Sequence, residues 1–173
     1  MNNLETLIYQ TRMAHSLTNK IIHSVPFDRW DEIPQGIETN VTWQAGHLIF
    51  SQHFHAIMCI AGLLPEIKEK VPLRQFAEWF TFGSKPADVV GKTEAKMLKE
   101  QLELIQAKSI EIISAMTMEE LGSDLEPTKM PHPIAKTKQE ALSWNQQHIF
   151  WHLGQLGMLV RGLGLKYDFG LKK

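Results

Sequence analysis

Residues 137–164, TKQEALSWNQQHIFWHLGQLGMLVRGLG, decide how the rest of the chain is read. Thr137 and Glu140 have the spacing of a capping box, in which each side chain takes up a free N–H of the other's backbone, so a helix opens here. It runs to about Arg161, where Gly162 and Gly164 supply a stop signal. Trp144, Ile149, Phe150, Trp151, Leu153, Leu156, Leu159 and Val160 make nearly the whole circumference apolar, which predicts a largely buried helix. On that helix His148 and His152 are spaced i, i+4 and lie on one face about one turn apart, the spacing with which a helix can chelate one ion. Gln155 continues the face.

Three more segments carry the same helical period, and none shows the alternation of a strand. Leu4, Leu7, Ile8, Thr11, Ala14, Leu17, Ile21 and Ile22 form one stripe that ends before Pro26. After the linker PFDRWDEIPQGIETN, Thr39 or Asn40 can cap a second helix from about Val41 to Leu63, stopped by Pro65. A third spans about Thr93 to Met116, with Leu98, Leu102, Ile105, Ser109, Ile112 and Met116 inward. Lys96, Lys99, Glu100, Glu103, Lys108 and Glu111 mark its solvated side. LRQFAEWF after Pro72 predicts a short helix whose Phe76, Trp79 and Phe80 cover a bundle end. Thr117 to Glu120 is a second capping box. The stretch 122–136, with Pro127, Pro131 and Pro133, must be a loop, laid across the end of the bundle. The expectation is one all-α domain over residues 1–173, a four-helix bundle with long connections and short extra helices.

Composition narrows the function. The chain has 173 residues, with 18 basic against 19 acidic side chains and no basic cluster, so nucleic acid is not expected as a partner, since phosphate neutralisation supplies most of such affinity. The longest apolar run, Ala56 to Leu64, is under half of the roughly 20 residues a spanning helix needs. Arg12, His15, Asn19 and Lys20 interrupt what a signal peptide would need as its apolar region. A single cysteine, Cys59, excludes internal disulfides and multi-cysteine metal scaffolds and suits a reducing compartment; a cytoplasmic protein is expected. Its neighbours Met58, Ile60 and Ala61 predict a core filler.

Eight histidines remain. A third ligand for the helix-four pair must come from another helix, and the second helix offers His47, His53 and His55. At about 100° per residue, His53 is turned roughly 120° and His55 roughly 80° from His47, so the three cannot all face one ion. His47 follows Trp43 by one turn, and its face continues through Phe50, Ser51, Phe54 and Met58, which places it inside. His53 and His55 are read as surface residues or as supports behind the ligands. His15 and His23, without a spacing partner, are read as packing or exposed residues. His132, fixed between prolines in MPHPIA, can cover the bundle mouth.

Other chemistries fail on spacing. No glutamate stands three residues before any histidine, as the di-iron Glu-x-x-His unit requires. Ile149 follows His148 where a zincin places its general-base glutamate. Neither a Gly-x-Ser-x-Gly elbow nor a Gly-x-x-x-x-Gly-Lys phosphate loop occurs.

TWQAGHLIF, residues 42–50, and HIFWHLGQLGMLVRGLG, residues 148–164, together with the Pro-rich linker and the order of elements, resemble the DinB/YfiT-like superfamily. The resemblance implies a divalent ion on three histidines, one from the second helix and two from the last; here these are His47, His148 and His152. Trp151 and Leu153 depart from the His-His-Arg-Gly-Gln that many members carry. The resemblance also implies a homodimer. Some relatives are thiol-dependent S-transferases or isomerases that use a low-molecular-weight thiol, and others are hydrolases.

Three neutral imidazoles leave an ion its full charge and an open position, as in catalytic rather than structural sites. Zinc or nickel is the first expectation, and iron and manganese share the same ligands. Gln155, Trp43 and Ser51 are the candidates for the surroundings of the ion or the substrate mouth. The expected function is a metal-dependent enzyme acting on a small molecule. The alternative is a non-catalytic metal-binding stress-response protein acting through a dimer.

Overall fold

The computed structural model describes residues 2–168, so the ends of the expected domain, Met1 and 169–173, lie outside the described residues. Within them the chain is all-α, and its only β feature is an isolated bridge between Asp124 and Thr137. The long helices are α1 (Asn3–His23), α2 (Val41–His53), α5 (Ala95–Ala115) and α7 (Lys138–Gly162); short α3 (Pro65–Lys70) and α4 (Leu73–Trp79) lie between α2 and α5, and α6 (Met118–Leu121) follows α5.

Local chemistry accounts for most boundaries. Asn2 and Glu5 make a reciprocal box at α1, and Thr117 with Glu120 and Thr137 with Glu140 do so at α6 and α7. Asn40 caps α2 by accepting the Trp43 N–H at 2.7 Å. Helix α5 begins two residues later than the sequence suggested, after Glu94 and without a side-chain cap. Gly164 at φ 72° follows the end of α7, in the left-handed region where glycine is favoured.

Two expectations about α2 need correction. The segment to residue 61 is not uniform: α2 passes into a π turn at Phe54–Met58 before a last turn at Cys59–Ala61. Nor does Pro65 act as the stop. The helix ends at Gly62, φ 79°, and Pro65 opens α3 at its first turn, where its missing N–H costs nothing.

Helices α1 and α2 each pack on both α5 and α7, so helices consecutive along the bundle, α1 then α2 and α5 then α7, sit across from one another and need long connections. The linker after α1 is anchored by Trp30, 1% exposed, whose indole N–H donates to Val25 O at 3.1 Å. Ile21, Ile22, Leu48, Ile49, Leu98, Leu102, Ile105, Ile149 and Leu156 fill the main core; each such fully buried side chain contributes about 1.5–3 kcal/mol. A smaller cluster with Leu7, Ala56, Ile60, Ile113 and Leu142 lies beside it. The loop 122–136 crosses the end of α2, tied by the Glu126 N–H to Cys59 O at 2.9 Å.

Cys59 is fully buried, and burial pushes its thiol up to about 11, so it packs as a core residue with its thiol protonated at neutral pH. Helix α7 is less enclosed than its apolar circumference implied. Phe150, Trp151 and Met158 are 44%, 65% and 58% exposed, because only part of its surface meets α1 and α2. No helix of the described residues is long and apolar enough to cross a membrane.

Candidate metal centre

The packing of α2 against α7 brings His47, His148 and His152 together, with one ring nitrogen of each within 4.8 Å of the others. Nε2 of His148 lies 3.4 Å from Nε2 of His47 and 3.1 Å from Nε2 of His152. Tetrahedral ligation at 2.0–2.1 Å would set such nitrogens roughly 3.3–3.4 Å apart.

Neighbours dictate the proton positions on two rings, assigned from the hydrogen-bond network. His47 Nδ1 is 2.6 Å from Phe80 O, which can only accept, so Nδ1 carries the hydrogen and Nε2 presents a lone pair. His152 Nδ1 is 2.8 Å from Gln44 Oε1. The amide of Gln44 donates in turn to Gln155 Oε1 at 2.8 Å and Thr39 Oγ1 at 3.2 Å, so His152 likewise turns a bare Nε2 inward. Among the described residues Nδ1 of His148 has no partner, and none of them fixes its tautomer. With its hydrogen on Nε2, His148 can donate to the lone pairs of His47 and His152; with its hydrogen on Nδ1, three lone pairs converge on one point, and that donor set fits a divalent ion.

Aromatic rings hold the imidazoles. Trp43 stacks on His47 with centroids 4.9 Å apart and planes 6° apart, and its indole N–H donates to Ser84 Oγ at 2.8 Å. Trp144 stacks on His148 at 6.0 Å. Burial is the main reason that His47 is held below the ordinary imidazole range, His148 is lowered to about 4 and His152 to about 3; repulsion from His47 adds to the last two. At neutral pH all three are neutral, the form that ligates metals.

The chain's own backbone enters the site through α4. Phe80, which ends α4, is fully buried, and its ring lies so close to Gly46 that a Cβ there would meet it at 2.5 Å. Gly46 therefore lets α4 approach α2 one residue from His47, and this approach delivers the Phe80 carbonyl to Nδ1. Phe76, Trp79 and Phe80 cover the bundle as expected, and Phe80 also orients His47.

A family model described as the DinB superfamily matches residues 10–156. The chain belongs to the DinB superfamily. Among solved structures, a DinB-like protein from Bacillus subtilis matches this DinB-superfamily chain with a TM-score of 0.60 at 18% identity. The match covers 97% of this chain and 99% of that one, so the two share a fold. No curated protein matches it.

Trp43 and Gln155 reach the imidazoles directly or through Gln44, while Ser51 is buried on α2 with its hydroxyl 3.5 Å from Leu48 O. Sequence reasoning passed over Gln44, because an amide three residues before a histidine also fits an ordinary core position. Phe80 O left no signal, since any residue has a carbonyl. His53 and His55 are not surface residues: they are 1% and 8% exposed, because α2 is enclosed by α5, α7 and the crossing loop. His15 is buried, and exposed His23 faces Glu103 at 3.6 Å. His132 lies over the π turn, its Nε2 2.8 Å from His55 Nδ1.

A cleft of about 590 Å³ adjoins the centre, lined by Trp43, Gln44, Phe82, Ser84 and Gln155 among others. Its lining includes Gln44, which orients His152, and Trp43, which stacks on His47, though none of the three histidines.

Proposed function

We propose that the chain is a metal-dependent enzyme acting on a small molecule, of the thiol-dependent S-transferase or isomerase type or a hydrolase, with a divalent ion held by His47, His148 and His152. The observation that carries this reading is the outward protonation of His47 and His152, which leaves their Nε2 lone pairs facing His148. Zinc or nickel suits three neutral imidazoles best, with iron or manganese also able to use them. Such an ion would supply Lewis-acid activation of a thiol, a carbonyl or water at an open position.

The chain's residues divide the remaining work. Phe80 O and Gln44 fix the two ring orientations. Trp43 and Trp144 keep water from the imidazole faces, and Gln155, at the cleft wall, offers its amide N–H to a substrate while its oxygen holds Gln44. A low-molecular-weight thiol fits the cleft volume. A homodimer belongs to the same reading, supported by the exposed stripe of Phe150, Trp151 and Met158 on α7. A cytoplasmic setting, supported by the lone buried cysteine, belongs to it as well.

One observation favours the second reading, a metal-binding stress-response protein without turnover: the cleft stops at Trp43 and Gln44 and does not reach the imidazoles. The deciding experiment is elemental analysis of untagged protein, followed by turnover assays on thiols paired with electrophiles and on esters. Near-stoichiometric metal and a reaction that His148→Ala abolishes without unfolding are expected. Metal-loaded protein inert throughout that panel points to the second reading, and protein that takes up no metal overturns both.

A further inference from the structure

The three-histidine site leaves a second pair of imidazoles unexplained. His55 sits on the π turn and His132 in the proline-flanked loop, yet His55 Nδ1 and His132 Nε2 are 2.8 Å apart. The backbone dictates the hydrogens along this pair. Nδ1 of His132 lies 2.8 Å from the Ala135 nitrogen and 3.2 Å from that of Ile134, and both N–H groups can only donate. Nδ1 therefore bears a lone pair, and the neutral ring carries its proton on Nε2. That Nε2–H donates to Nδ1 of His55, which leaves the proton of a neutral His55 on its own Nε2.

The same protons exclude a second metal site here. Ligation through His132 Nε2 would need a hydrogen on Nδ1, pressed against two backbone donors. The pair is held in place on both sides: His132 stacks on Phe54 with centroids 5.9 Å and planes 14° apart, and His55 stands edge to face against His148 at 5.8 Å. Among the described residues Nε2 of His55 has no hydrogen-bond partner, and it is not one of the fully buried unpaired atoms. His47 and His152 thus present lone pairs on Nε2, whereas His55 presents a hydrogen there.

We propose that His132 is a positioning residue that locks His55 as an Nε2–H donor beside the three-imidazole centre, where it hydrogen-bonds a small anion, a thiolate or a carbonyl oxygen entering that centre. The purpose of the donor rests on the metal reading above; its geometry does not.

The metal-free protein tests the geometry. Long-range ¹H–¹⁵N spectra of the histidine side chains should show Nδ1 of both His55 and His132 as pyridine-type and both Nε2 as pyrrole-type. His132→Leu should turn His55 into a mixture of tautomers, and His132→Gln, whose amide can still donate, should restore it. A pyrrole-type Nδ1 on either residue, or a His55 spectrum untouched by His132→Leu, overturns the relay. Titration of the cobalt(II)-loaded protein with azide tests the purpose. His55→Phe and, independently, His132→Leu should weaken azide about tenfold, as befits a lost hydrogen bond to a charged group, with cobalt affinity held within about twofold. Unchanged azide affinity in both variants overturns the role of His55. If cobalt does not bind the unsubstituted protein, the metal reading falls and the role of His55 toward a bound anion falls with it, while the nitrogen types still decide the relay.

Discussion

A histidine turns a bare nitrogen inward when a neighbour accepts the hydrogen on its other one, and Phe80 O does this for His47 and Gln44 for His152. Gln44 is 1% exposed and spends its oxygen on His152 and its amide on Gln155 and Thr39. Gln44→Leu should leave the fold intact and weaken zinc binding about 10- to 100-fold, the usual cost of losing a partner behind a metal ligand. A chelator-competition titration measures this, and unchanged affinity would show that Gln44 does not orient His152. Near neutral pH, zinc affinity should change little with pH, because imidazoles already neutral release no protons when they bind.

Elements meet at Gly46 and at the π turn. At Gly46 a methyl group would strike the fully buried Phe80 ring. Gly46→Ala should therefore cost about 1–3 kcal/mol by overpacking and, by displacing the Phe80 carbonyl, lower metal affinity as well. Urea unfolding together with the chelator titration reads both effects; a stability loss without an affinity loss would mean that α4 moves without its last carbonyl. The π turn explains why spacing alone did not turn His55 towards His148. Residues there advance by less than the 100° of an α-helix, so His55 swings toward the His148 side of the bundle. Nothing in FHAIM marks that extra residue in the turn.

Across the whole molecule, buried neutral histidines couple stability to pH. Mainly through burial, His15, His53 and His148 are lowered to about 4 and His55 and His152 to about 3. Each binds a proton more readily unfolded, where its value is 6.5, than folded. The unfolded state therefore takes up the protons as pH falls below 6.5, and stability, full above that value, drains away towards pH 4, at up to about 1.4 kcal/mol per group and pH unit. The urea midpoint of the metal-free protein should fall steadily from pH 7 to pH 5. A flat profile would mean that these rings are hydrated in the folded state. The exposed apolar stripe of α7 makes a separate prediction about assembly. Light scattering on a sizing column should show a dimer that Trp151→Glu converts to monomer with unchanged helicity, and a monomeric parent protein would remove the dimer from the proposal.

Helical period and capping chemistry are written locally, so the four long helices, the boxes at Thr117 and Thr137 and the i, i+4 pair on α7 were legible from residues a few positions apart. The choice of His47 over its neighbours on α2 was legible too, because rotation along a regular helix is fixed up to His53. Beyond that point the chain alone was silent. The burial of His53 and His55, the carbonyl of Phe80 behind His47 and the meeting of His55 with His132 depend on how α4, α7 and the loop 122–136 pack around α2. A backbone carbonyl has no residue signature, and a π turn changes the angle on which spacing relies. Contacts between groups far apart in sequence are set by packing, and only the assembled bundle decides them.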